Sequence, residues 1–171
     1  MKLKTLYERI ITEILDFNNI GQYKYTKINN NHYRFEVEDG EIDVTFGSIK
    51  FEINHFKSAK LLNKFDGEEI INVGYTFNLS DTQFKRTDLK EFLPILKTIV
   101  SIIDEYVEKN KPKLLLILSI DRYGGMSVDK SKDKIYQLLV KKYLPTSYGV
   151  SEVQIGNDGG LILYNIQSLK K

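Results

Sequence analysis

The sequence predicts an α/β (α+β) fold, with a single mixed, largely antiparallel sheet, one parallel crossover and helices on both faces. Three observations lead to this prediction. Several early segments alternate apolar and polar residues, as antiparallel strands with one solvated face do. Residues 94–109 carry a wide apolar stripe at helical spacing. Residues 113–120 read as a strand that is apolar on both faces, so both faces are expected to be buried.

The first predicted element is an amphipathic helix over residues 3–17. Its apolar residues recur every three or four positions, which places them on one side of a helix. Asn18, Asn19 and Gly21 follow, and they favour a helix end because Asn and Gly adopt the left-handed backbone conformation at low cost.

An antiparallel meander is predicted next. Asp39-Gly40 is a strong signal for a two-residue hairpin, and Asp66-Gly67, within residues 64–68, favours a turn before the longest strand. The alternating segments that these turns separate are residues 32–38, 41–46, 51–56 and 70–79.

The long helix is predicted to begin near Pro94, because a proline at the first helical position loses no hydrogen bond. Lys109 and Pro112 favour its end. The chain from strand 70–79 through this helix to strand 113–120 has the length of a strand–helix–strand unit. We therefore expect these two strands to pair in parallel.

The last predicted elements are a helix and a hairpin. Residues 132–144 have a helical apolar pattern that Pro145 ends. Residues 150–156 and 161–167 alternate as strands and flank the turn signal of residues 157–160.

Composition limits the classes of function. The 171 residues predict a single domain over residues 1–171, and 25 basic against 23 acidic residues give a net charge of +2. So small a charge gives no field that attracts nucleic acid or an anionic membrane, and neither is an expected partner. Cysteine is absent, which excludes disulfides and thiolate nucleophiles. No apolar run approaches the roughly 20 residues of a membrane helix.

The choice of amino acids also indicates a source. Lys far outnumbers Arg, Asn and Ile are abundant, and Ala59 is the single alanine. This bias is typical of AT-rich codons, so we expect a low-GC bacterium or its phage as the source. The absence of cysteine leads us to expect a cytoplasmic location.

The order of these elements resembles the GCN5-related N-acetyltransferase superfamily over nearly the whole chain. A narrower resemblance is to an uncharacterised family of tailed-bacteriophage proteins with a recurring set of short motifs. The corresponding motifs here are Tyr75-Thr76-Phe77, Ile95-Leu96-Lys97-Thr98-Ile99, Leu116-Ile117-Leu118-Ser119 and Lys134-Ile135-Tyr136.

The acetyltransferase resemblance implies a site for acetyl-CoA. Such enzymes hold the cofactor pyrophosphate on a glycine-rich loop at the start of the long helix. The matching stretch, residues 83–93, contributes Gln83, Lys85 and Arg86 but contains no glycine. The resemblance also implies that Tyr136 is the acid that protonates the leaving thiolate and that the backbone of residues 73–79 holds the pantetheine arm. The alternative for Tyr136 is an ordinary place in the core.

Other candidates come from the residues alone. Ser119 and Asp121 follow the apolar strand, at the end where open α/β sheets bind ligands, although an ordinary turn explains them too. His32 and His55 are the only histidines and have no second ligand nearby, so no metal site is expected. Residues 23–27 interleave Tyr and Lys, which suits either base stacking or a simple strand.

The function predicted first is a non-enzymatic phage-type protein that acts through protein–protein contacts, with no cofactor. It would be a virion-associated or host-interaction component whose partner is another protein or a second copy of itself. This hypothesis follows from a retained core and a changed cofactor loop, so it depends partly on the resemblance. The alternative is an acyl-CoA-dependent N-acyltransferase with an atypical pyrophosphate loop and acetyl-CoA as its cofactor.

Overall fold

A seven-stranded mixed sheet organises the chain in a computed structural model that describes residues 19–38, 40–55, 60–79, 89–118, 147–155 and 158–167. The strand order across the sheet is β1-β2-β3-β4-β5-β7-β6. In chain order the strands are β1 (Tyr25–Asn29), β2 (His32–Val37), β3 (Gly40–Lys50), β4 (Glu69–Leu79), β5 (Leu114–Leu118), β6 (Tyr148–Ile155) and β7 (Asp158–Asn165). The described helix, α1 (Leu89–Asn110), lies between β4 and β5 in the chain.

The predicted mixed sheet with one parallel crossover is confirmed. β4 and β5 pair in parallel through Ile71↔Leu115, Asn72↔Leu116 and Val73↔Ile117. The other strand pairs are antiparallel. A parallel pair needs a long connection from one end of the sheet back to the other, and α1 lies within that connection.

The N-terminal meander is more regular than the sequence indicates. β3 and β4 each have 11 residues and pair over their whole length. β2 and β3 form the predicted hairpin, but Val37 pairs with Gly40, so Gly40 belongs to the strand and not to the turn. Its φ of 155° is accessible to glycine and strained for other residues.

The predicted strand over residues 51–56 is wrong. The chain forms a 3₁₀ turn at Ile53–His55 and a second one at Lys60–Phe65. The Asp66 carboxylate accepts a hydrogen bond from the Ile53 N–H at 2.9 Å, and Phe51 exchanges backbone bonds with Gly67 and Glu68. These local bonds satisfy the backbone groups that a strand partner would otherwise have paired.

The long helix begins at Leu89, five residues before the predicted start at Pro94. Pro94 therefore costs one hydrogen bond within the first two turns. The predicted end is confirmed, since α1 stops at Asn110. Lys111 then adopts a left-handed φ of 47°, and its N–H bonds to the Val107 carbonyl at 2.9 Å. That bond satisfies one carbonyl at the helix end.

The two faces of the sheet are covered differently. The apolar side of α1 and one face of the sheet share a core that includes Tyr33, Ile42, Ile99 and Ile103. On the other face, Phe51, Leu62 and Phe65 cover β5 and β7 together with the start of β4. The described residues thus place a helix on one face and 3₁₀ turns on the other, and helices on both faces are not confirmed. The predicted helices at residues 3–17 and 132–144 lie outside the described residues.

The closing hairpin is confirmed with shifted boundaries. β6 and β7 pair from Tyr148↔Asn165 to Ile155↔Asp158. Asp158, Gly159 and Gly160, predicted as part of the turn, are the first residues of β7. The pairing of Ile155 with Asp158 leaves two residues for the turn, which suffices in an antiparallel hairpin.

The segment ahead of β1 is fastened to α1 by polar side chains. Thr98 is fully buried. Its hydroxyl donates to the Pro94 carbonyl at 2.7 Å and accepts from the Tyr23 N–H at 2.9 Å. Lys97 donates to the Ile20 carbonyl, and Ser101 to Gln22. Thr98, noted in the phage-family motif, is thus a packing residue that satisfies a backbone donor.

We expect Gly149→Ala to destabilise the protein by about 1–3 kcal/mol, because an added Cβ would lie 2.2 Å from the Tyr164 ring and overpacking carries a cost of that size. Urea denaturation measures the change. Gly47→Ala is the matched control, since Gly47 is also in a strand but has nothing within 4 Å of its added Cβ. Equal stability of the two variants would contradict the close contact.

Candidate functional site

On the side opposite α1, the face of β1 to β4 is polar, and most of its side chains are exposed or half-buried. The register of β1 to β4 and the alternation of each strand define its members. We call this surface the open face, and it consists of Thr26, His32, Arg34, Glu36, Glu41, Asp43, Thr45, Thr76 and Asn78. Apart from Asp43, all of these side chains are exposed or half-buried. The same strands direct their apolar residues to α1, so the two faces differ sharply in polarity.

Asp43 is the centre of the open face. It is only 7% exposed, although it lies on a solvated surface. One carboxylate oxygen is 2.6 Å from His32 Nε2 and accepts from Arg34 Nε at 2.8 Å. The other oxygen accepts from Arg34 at 3.3 Å and from the Asn78 amide at 3.4 Å. Side chains from three strands therefore meet on one carboxylate.

The electrostatics of this cluster follow from these contacts. Burial disfavours the charged form of Asp43, but the hydrogen bonds from Arg34 and His32 outweigh it and lower the pKa of the carboxyl. Because an ionised carboxylate can only accept, His32 Nε2 must donate to it. In the neutral ring Nδ1 is then left as an acceptor on the open face. The cluster therefore presents a fixed hydrogen-bonding pattern to solvent.

The surface around the cluster carries charges of both signs, with acidic groups in excess. Glu41 lies 3.6 Å from Arg34, and Glu36 pairs across the strands with Glu41. Gly74 stands beside Thr45, whose hydroxyl would lie 2.8 Å from a Cβ at that position. A larger residue in place of Gly74 would displace Thr45. The open face can thus supply hydrogen bonds and charges of both signs.

The Tyr-Lys segment at residues 23–27 leads into strand β1, which contains its last three residues, and this agrees with the simpler interpretation as a strand. Its rings are engaged with the core side of the sheet. Tyr23 stacks on Phe35 with centroids 5.8 Å apart, and the Tyr25 hydroxyl donates to Glu105 at 2.6 Å. Burial and this hydrogen bond raise the pKa of Tyr25. These rings are therefore not free to stack on bases.

The residues predicted to form a site lie outside the described part of the chain. This holds for the cofactor-loop residues Gln83, Lys85 and Arg86, for Ser119 and Asp121, and for Tyr136.

His55 is described, and it makes an exposed contact with Glu52 at 3.3 Å. No group of three or more His, Asp or Glu among the described residues could hold a metal ion. In the same residues, no helix is long and apolar enough to cross a membrane.

The junction of β4 with β5 has a distinct geometry. Their ladder contains three residue pairs and ends at Val73 and Ile117. β4 continues for six residues, Gly74 to Leu79, and pairs there with β3 on its other side. Among the described residues, no strand pairs with this part of β4 on the β5 side. It is the part of the backbone that the acetyltransferase resemblance assigns to the pantetheine arm.

We expect Asp43→Asn to lower the free energy of unfolding by about 1–3 kcal/mol near neutral pH, because it weakens charge-assisted hydrogen bonds to Arg34 and His32. The folded-state pKa of Asp43 is lowered, so its contribution is complete above about pH 4, the ordinary pKa of Asp, and is lost as the pH falls further. Urea denaturation from pH 7 down to 3 should show the difference from wild type shrink below about pH 4.

Glu41→Gln is the matched control for Asp43→Asn. Glu41 lies on the same strand and the same face, but its side chain is 37% exposed and its contact with Arg34 is long, at 3.6 Å. Its removal should change stability by less than about 0.5 kcal/mol. If Glu41→Gln lowers the free energy of unfolding as much as Asp43→Asn does, the stabilisation comes from the overall charge of the open face and not from the Asp43 hydrogen bonds.

No protein-family model matches this chain, and no curated protein or solved structure shows significant similarity to it. The two resemblances inferred from the sequence therefore stay predictions, and they depend on the residues quoted for them.

Proposed function

We propose that this protein is a non-enzymatic component that acts through protein–protein contacts on an acetyltransferase-like scaffold. The observation that carries the proposal is the open face, a solvated sheet surface held in shape by the buried Asp43 cluster. A buried charge of this kind is poor evidence for stability alone. It does fix the positions of Arg34 and His32 on an exposed surface, which is what a docking surface requires.

The chemistry of the open face favours a protein partner. Its ionisable groups are Arg34 and His32 against Glu36, Glu41 and Asp43, and this balance would repel a phosphate backbone. Exposed apolar groups border it, with Ile49 48% exposed in β3 and Ile28 50% exposed in the edge strand β1. Mixed charges, hydroxyls and a few apolar side chains are typical of protein interfaces.

The strand order and the sequence support the scaffold part of the proposal. A meander of four strands, a helix and a strand parallel to β4 is the order that the predicted scaffold requires. Residues 83–93 lack the glycine that would let a backbone approach a pyrophosphate closely. The finer assignment is a phage-type protein from a low-GC host, virion-associated or directed at a host factor. It would be found in the cytoplasm or the virion.

The alternative is an acyl-CoA-dependent N-acyltransferase. In this alternative the backbone of residues 73–79, within β4, would bond the pantetheine arm. In this alternative Tyr136 is the general acid, and Gln83, Lys85 and Arg86 contact the pyrophosphate of acetyl-CoA.

A thermal-shift titration with acetyl-CoA separates the two functions. A ligand at 100 times its dissociation constant adds about 2.7 kcal/mol, which for a domain of this size raises the melting temperature by about 5 °C or more. We expect no shift at millimolar acetyl-CoA. A shift of that size, lost on replacement of Arg86 by Ala, would overturn the non-enzymatic proposal in favour of the alternative.

Site-specific photo-crosslinking tests the protein contact directly. A photoreactive residue at Thr76, which is exposed on the open face, should give a covalent adduct with one defined protein or with a second copy of the chain. Lys113 is the control position, since its side chain is 58% exposed and it lies directly before β5, outside the open face. Equal adducts from both positions, or none from Thr76 in cells that contain the phage proteins, would contradict the proposal.

A further inference from the structure

A second site lies at the C-terminal end of α1 and shares no residue with the open face. It is a surface pocket of about 150 Å³ between the last turn of the helix, the start of β6 and the end of β7. Its walls include Glu108, Lys111, Tyr148, Asn165 and Gln167. The pocket is thus lined mainly by groups that can form hydrogen bonds or carry charge.

The frame of this pocket is fixed by hydrogen bonds. The Tyr148 hydroxyl donates to the Pro112 carbonyl at 2.6 Å, and burial raises the pKa of Tyr148 to about 12, so the phenol stays neutral. The Asn165 N–H donates to the Lys113 carbonyl at 3.0 Å, and the Asn165 side chain accepts from the Gln167 N–H at 3.0 Å. The pocket is therefore largely preformed, as binding sites usually are.

Lys111 occupies a backbone position that does not suit it. Its φ is 47°, in the left-handed region that favours glycine or asparagine at the end of a helix. It also precedes Pro112, and a residue before proline is itself restricted to extended conformations. A non-glycine residue in such a conformation carries a conformational cost. Strained positions of this kind cluster at functional sites, and the Lys111 ammonium group is the functional group at this one.

The two charges at the pocket rim are available to a ligand. Neither Glu108 nor Lys111 forms an ion pair with any group in the described part of the chain. Asp104, one turn before Glu108, has a raised pKa caused by burial and then by the Glu108 carboxylate. The carboxyl end of a helix carries partial negative charge as well. This side of the pocket therefore favours a cation, and Lys111 favours an anion.

We propose that this pocket binds the zwitterionic head of a free α-amino acid. The ligand ammonium group lies against Glu108, and the ligand carboxylate bonds to Lys111. Asn165 and Gln167 add neutral hydrogen-bonding groups to the pocket wall. A cavity of about 150 Å³ can hold a molecule the size of benzene, so glycine, alanine or serine fits and larger side chains would extend into solvent.

The test is an NMR titration of the full chain with L-alanine, followed by the backbone and side-chain amides of Asn165 and Gln167. We expect saturable shifts at these residues. Acetate and methylammonium each carry one of the two charges and should bind at least about tenfold more weakly, which corresponds to the loss of one charge-assisted contact. No saturable shift with L-alanine would overturn the proposal, as would equal binding of acetate.

Lys111→Gly separates function from structure at this site. Glycine removes the ammonium group and suits the left-handed backbone, so we expect binding to be lost while the melting temperature rises by about 2 °C. Glu108→Gln should also weaken binding about tenfold, whereas Lys109→Gln, outside the pocket walls, should leave it unchanged. Undiminished binding by Lys111→Gly, or a melting temperature that does not rise, would refute the assigned role of Lys111.

Discussion

The parallel pairing of β4 with β5 is the constraint on which the rest of the fold depends. Two parallel neighbours cannot be joined by a tight turn, so the chain must cross the length of the sheet between them. α1 lies in that crossover, and its apolar stripe covers the face formed by Tyr33, Ile42 and their neighbours. The opposite face of β1 to β4 is then left to polar residues, and the open face is a consequence of this arrangement.

Within the open face, one carboxylate determines the positions of the functional groups. Asp43 is nearly buried in β3, and hydrogen bonds to it orient Arg34 and His32 of β2 and Asn78 of β4. Ionised Asp43 also decides which nitrogen of His32 carries the proton. A surface with fixed donors and acceptors loses less conformational entropy on association than one with mobile side chains. The same feature that costs desolvation energy thus prepares the surface for a partner.

At the pocket next to the end of α1, the protein also loses some stability and gains a functional side chain. The residue after α1 adopts a left-handed backbone conformation, which glycine would take at lower cost than Lys111 does. The neighbouring Tyr148 and Asn165 are held by backbone carbonyls or amides. Rigid walls and a residue in a costly conformation are features that cluster at binding sites. The two proposed sites lie on different parts of the molecule and do not share residues.

The sequence could not identify either site, and the reasons are physical. A turn at Asp39-Gly40 would set Asp43 opposite Glu36, whereas the observed pairing of Val37 with Gly40 sets it opposite Arg34. A shift of one residue in the turn thus changes an acidic pair into an ion pair, and local turn propensity does not resolve it. The prediction of a strand at residues 51–56 was wrong for a similar reason. The Ile53 N–H bonds to the side chain of Asp66, 13 residues away, and not to a neighbouring strand.

The sequence by itself determined the long apolar helix, the alternating meander, the central apolar strand and their parallel crossover, because periodicity and connection length are local properties. Only the tertiary structure decided which polar groups meet. Strand register brings His32, Arg34 and Asp43 together, and the packing of the hairpin against the end of α1 brings Asn165 to Lys111. Contacts between residues distant in the chain depend on register and packing, which single-residue preferences do not encode.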